Sequence, residues 1–160
     1  MDQPKTYSET EAERFFAIKF FNQTWDLLDK PNRTTEEDNI MMDRAHASLA
    51  HWRTAGTSLH LQRGYWMLSR VHSVLNHTQP SLHYAQRCLD LTRQHPDLMQ
   101  DFDIAFAYEA MARANAVAGE TSQSNKFIKL AEKAGQAILD AEDRKVFIES
   151  FESGDWHGLK

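Results

Sequence analysis

Apolar residues recur along this chain at intervals of three and four, the period of an α-helix. No stretch alternates polar and apolar in the manner of a half-buried strand. Seven helical segments follow from the pattern. Ser8 with Glu11 forms a capping box that opens the first. Phe15, Ile18, Phe21, Trp25 and Leu28 then repeat at helical spacing, and Lys30-Pro31-Asn32 stops the helix. Thr34 with Glu37 is a second capping box, opening a helix to about Thr54 that Gly56 closes. The third segment spans roughly Ser58 to Asn76, with Leu61, Tyr65, Leu68 and Leu75 on one face. Pro80 suits the first turn of a fourth helix, where a missing N–H costs nothing. That helix carries Leu82, Ala85, Leu89 and Leu91 and runs to His95-Pro96. The fifth covers about Asp97 to Ala118 and ends at Gly119, the sixth about Thr121 to Ile138. Asp140 with Asp143 starts a short seventh ending near Phe151.

Most of the connections are short, which forces neighbouring helices to run antiparallel. The expected architecture is all-α, a right-handed stack of about three antiparallel helix pairs plus a closing helix. One domain spans 1–160, with an ordered core over 8–152. Residues 153–160 hold two glycines and are expected to form a flexible tail.

A weak repeat runs through the pairs. Ala45, Ala85 and Ser124, each early in a second helix, lie 40 and then 39 residues apart. Leu49, Leu89 and Ile128 follow each by one turn, and Ser73 and Ala112 occupy matching places in first helices. Small residues let backbones approach, and a large apolar residue one turn on fills the gap. The pattern resembles the tetratricopeptide repeat. Tyr108, Met111, Ala112, Gly119, Ser124, Ile128 and Ala131 match it best; His72 and Thr92 depart from it. The run from Asp101 to Ala114, with His51-Trp52 and Ala141-Glu142-Asp143-Arg144, also resembles a family of small bacterial proteins of unassigned function. The first resemblance implies a binding scaffold; neither supplies a catalytic residue.

Charge narrows the partners. Eighteen basic against twenty-three acidic side chains leave a net charge of −5, without the basic excess of a non-specific nucleic-acid binder. No apolar run approaches the ~20 residues of a membrane span. The polar start, Met1 to Thr10, lacks the apolar core of a signal peptide, and the lone Cys88 suits a reducing compartment. The cytoplasm is therefore the expected location.

In a tetratricopeptide-like register the first helices line a concave groove. This places Arg63, Met67, Arg70 and His77 of the third helix, and Phe106, Glu109 and Arg113 of the fifth, on a binding face for a protein or peptide. The arginines would fix an acidic group of the ligand, with Met67 and Phe106 supplying apolar contact. The plainer alternative is that Arg70, Glu109 and Arg113 pair among themselves. Phe16 and Phe20 lie off the main stripe of the first helix and form a candidate homodimer surface. His72 falls in a core register and reads as a buried, hydrogen-bonded histidine; Cys88 reads as a small buried hydrophobe.

No glycine-rich phosphate loop, nucleophile elbow or Cys-x-x-Cys occurs, so no enzyme chemistry and no cofactor are expected. A competing reading is a metal-dependent helical bundle using Asp43, His46 and His51, for Leu49-Ala50-His51-Trp52 faintly resembles metal-binding bundles of the DinB type. His46 and His51 are five apart, however, where helical metal pairs use three or four.

Overall fold

The computed structural model describes residue 1 and residues 3–160. Seven helices follow one another: α1 (Glu9–Leu28), α2 (Thr35–Ala55), α3 (Ser58–Val74), α4 (Thr78–Gln94), α5 (Asp101–Val117), α6 (Thr121–Gln136) and α7 (Ala141–Glu152). No strand occurs among the described residues. None of the helices is long and apolar enough to cross a membrane.

Local chemistry sets the ends. Ser8 and Thr34 each accept a hydrogen bond from the backbone of the glutamate three residues on, and each glutamate reaches back to the capping N–H. Asp140 accepts from Glu142 and Asp143 at the head of α7. Helix α3 stops two residues before Asn76, which is left-handed at φ 58°. His77 N–H then bonds the His72 carbonyl at 2.8 Å, and Asn76 N–H bonds that of Ser73 at 3.1 Å. The end of α5 repeats this closure: Glu120 bonds back to Asn115 and Gly119 to Ala116. Helix α5 begins at Asp101, later than its apolar pattern predicts, because Leu98 and Met99 close turns onto His95 and Pro96.

Each helix packs on the next, and α3 also meets α1 and α5, while α5 meets α7. The repeated small residues Ala45, Ala85, Ala112 and Ser124 are buried, as are Leu49, Leu89 and Ile128 one turn on. Where backbones come close, a hydroxyl can bridge them. Ser48 Oγ of α2 donates to the Ala17 carbonyl of α1 at 2.8 Å, and Ser69 Oγ of α3 to that of Ser81 in α4 at 3.0 Å. Ser124 Oγ of α6 donates to the Ala112 carbonyl of α5 at 2.8 Å. Helix α5 is buried nearly all round, and its alanines serve several neighbours at once. Between α6 and α7 the approach is closer still, for any side chain at Gly135 would overlap the Phe147 ring.

The residues after α7 differ from the expected fraying tail. Trp156 is only 4 % exposed; its Nε1 donates to the Phe151 carbonyl at 3.0 Å and its ring packs edge-to-face on that of Phe151. Lys160 closes the turn, with its ammonium 3.6 Å from the centre of the Phe151 ring and a 2.8 Å bond to Glu152. Leu159 packs against the core, and an indole buries a large apolar surface.

The two positions that depart from the repeat have local explanations. Thr92 accepts from Gln62 Nε2 at 3.0 Å and donates to the Cys88 carbonyl. His72 stacks on Tyr84, shares a 3.1 Å Nδ1–Nδ1 hydrogen bond with His77 and meets the edge of His46. Burial first, then the neighbouring His77 and His46, bring its pKa down to about 4. Its folded pKa thus lies below the ordinary value of about 6.5, so the unfolded chain binds the extra proton. Stability from this site is complete above pH 6.5 and falls away as the pH drops toward 4. Urea midpoints at pH 6.5 and 4.5 should show a larger drop for wild type than for His72→Asn; equal drops would contradict the assignment.

Candidate functional site

A groove runs along α3 where α1 stands away from α5 and α7. Its first part is a cavity of about 200 Å³ walled by Phe21 and Trp25 of α1, Gln62, Arg63 and Trp66 of α3, and Phe102, Asp103 and Phe106 of α5. Trp25 also borders a wider opening of about 620 Å³ formed by the end of α1, Asp29 to Arg33 of the following loop, Arg70 and Val74 of α3, α7 and Gly154. The four-residue steps Trp66, Arg70 and Val74 keep one face of α3 turned to this space.

Aromatic rings dominate the first part. Trp25 and Trp66 lie 5.1 Å apart, and Phe106 meets Trp66 edge-on at 5.2 Å. Arg63 closes the rim: its Nε and Nη2 hold Asp103 bidentately at 2.8 and 3.0 Å, while its guanidinium lies 5.0 Å over Phe102. Asp103 is the third residue of α5 and also accepts from the Gln100 N–H. It therefore caps its own helix and anchors Arg63 together.

Behind the wider opening lies a buried ion pair. Glu109 is fully buried, and its Oε2 accepts from Trp66 Nε1 at 2.8 Å. Its Oε1 takes the Nε of Arg113, one turn along α5, and stands 3.9 Å from Arg70 Nη1. Arg113 is 3 % exposed. Its Nη2 donates to the carbonyls of Ser150 and Ser153 at 2.8 Å each, and its guanidinium sits 4.1 Å over the Trp156 ring. Two guanidiniums thus share one carboxylate. Burial first, and then the Arg113 charge, bring Arg70 down to about 10, with Glu109 and Asp29 opposing.

The sequence-predicted residues divide accordingly. Arg63, Arg70 and Phe106 line the groove. Glu109 and Arg113 meet Arg70 but lie beneath the surface, joined in a structural pair. Met67 is 1 % exposed and belongs to the core, because the opposite side of α3 is covered as well. His77 precedes α4, bonded to His72 and away from the groove walls. Periodicity assigned Phe21 and Trp25 to the core stripe of α1, yet they form the groove's far wall because α3 meets that stripe only lightly. Phe102, Asp103 and Arg33 were not singled out as groove residues; their contribution depends on spacing between helices.

Elsewhere, Phe16 is 37 % exposed and stacks with Phe20 and His51, and Tyr7, Phe15 and Ile18 extend the apolar surface. His51 pairs with Glu13, and His46 packs against His72 and Tyr84. Among the described residues, no three His, Cys, Asp or Glu side chains are grouped to hold a metal ion. Burial pushes the Cys88 thiol well up.

No protein-family model matches this chain, and no curated protein or solved structure matches it.

Removing the acid from the buried pair should be costly, since it leaves two guanidiniums without a carboxylate. Glu109→Gln is expected to lose about 3–5 kcal/mol in urea unfolding. Adding Arg113→Met should recover part of that loss, showing coupling. A loss below about 1 kcal/mol for Glu109→Gln would mean the pair contributes little.

Proposed function

We propose that this chain is a non-enzymatic peptide- or protein-binding scaffold of tetratricopeptide-like build. The observation that carries the reading is the pair of cavities along α3: an aromatic-walled one and, sharing Trp25 with it, an opening edged by Arg33 and Arg70. The cavity suits one apolar side chain of the ligand, held between Phe21, Trp25 and Trp66. Arg70 makes no hydrogen bond among the described residues, so it is available to an acidic group farther along the same ligand. Arg33 already holds Asp38 and helix-end carbonyls, and adds field more than contact. An apolar anchor flanked by an acidic residue is the expected motif. A reducing, cytoplasmic setting suits the free Cys88.

Selection of a random peptide library on the full chain tests this. Wild type should enrich peptides with a large apolar residue near Asp or Glu, bound about thirtyfold more weakly by folded Phe21→Glu. Absence of enrichment, or equal binding to the variant, would sink the reading.

The exposed apolar side chains of α1 and the residue before its cap favour a second property, self-association. Tyr7, Phe15, Phe16 and Ile18 present apolar surface on one short stretch. We expect a concentration-dependent dimer by light scattering, abolished by Phe16→Glu. A wild-type monomer at high concentration would dismiss it.

A further inference from the structure

We infer that Arg70 and Arg113 form a binding site for a small oxyanion, set between α3, α5 and the turn after α7. Three observations carry this. First, Arg113 is buried and its Nη1 has no hydrogen-bond partner, the sole buried side-chain nitrogen or oxygen in that state among the described residues. A buried donor left unpaired costs about 1–3 kcal/mol, and more on a charged group, so such a group usually has a partner to meet. Second, the two guanidiniums lie within 4 Å of a single carboxylate, Glu109, in a largely buried place, with Asp29 acting on Arg70 from farther off. The other Arg113 donors are committed to Glu109 and to tail carbonyls, whereas Arg70 has no hydrogen bond of its own among the described residues.

Third, both arginines converge beside Gly154. A Cβ on this residue would stand 3.1 Å from Arg70 Nη2 and 3.2 Å from Arg113 Nη1, so any side chain would press on both guanidiniums. The turn at Gly154, at φ 79°, is one that glycine adopts without strain, and it brings the backbone up against both guanidiniums. Arg70 and Arg113 also wall a cavity of about 120 Å³ with Ser73, Asn76, Asp155 and His157. Asp155 is the one acidic group there; its side chain is 77 % exposed and lies 3.7 Å from His157. Guanidinium forks fit the oxygens of a carboxylate or a phosphate.

The inference deepens the groove reading at its Arg70 end, yet the two can fail separately. The test is ¹H–¹⁵N spectroscopy of arginine side chains in the full chain, titrated with sodium acetate and with sodium phosphate. Sodium chloride at equal ionic strength is the reference. The expected result is a saturable shift of the Arg70 and Arg113 Nε–H signals and a raised melting temperature relative to chloride. Saturation by acetate alone, or by phosphate alone, identifies the oxyanion. Arg70→Gln should weaken the effect on Arg113 by about tenfold or more. Phe21→Glu should bind the ion as wild type does, whatever its effect on peptides. Shifts no different from chloride, or an undiminished response in Arg70→Gln, would overturn the inference. The wild-type titration decides it even if that variant fails to fold.

Discussion

The Glu109–Arg113 pair is the interaction on which the rest of this structure depends. A charged pair inside a helical protein is costly unless its polar atoms are answered, and here all but Arg113 Nη1 are. Glu109 is answered from two sides, by Trp66 of α3 and Arg113 of its own helix. Arg113 then requires acceptors that α5 cannot supply, and these come as main-chain carbonyls at the end of α7 and beyond it. Trp156 completes the enclosure by laying its ring over the guanidinium. One pair therefore ties three parts of the chain together: α3, α5 and the end of α7 with the turn after it.

That tie shapes the groove. With α7 and the following turn drawn over Arg113, the middle of α5 around Glu109 is withdrawn from solvent, and the open strip lies toward α1. Arg70 is left at the boundary, its charge shared with the buried pair but its donors uncommitted. Beyond it the walls become aromatic, and Arg63 with Asp103 limits the far end. The gradient from buried charge to aromatic cavity lies within a few turns of α3. Its four-residue spacing sets the order of the groups.

The same physics explains where sequence reasoning reached and where it stopped. Helix ends were legible because caps are local: Ser8, Thr34 and Asp140 act within three residues of themselves. The burial of the small residues Ala45, Ala85, Ala112 and Ser124 was legible from their spacing. Groove residues were legible only in part. Helical period puts Met67 and Arg70 on neighbouring faces of α3, and no local signal tells which face a neighbour will cover. The tail was read from its two glycines, and no local signal shows that a buried guanidinium gives the Trp156 ring a surface to rest on.

Composition and periodicity by themselves determined an all-helical chain of seven segments, their approximate limits, and the buried character of His72 and Cys88. These properties depend on neighbours in sequence and on the apolar stripe each helix carries. The tertiary structure decided which stripe faces a partner and which faces an opening, that Glu109 and Arg113 lie beneath the groove, and that the last residues fold back onto Arg113. Those outcomes depend on distances between helices far apart in the chain, set by packing and by the need to satisfy a buried charge.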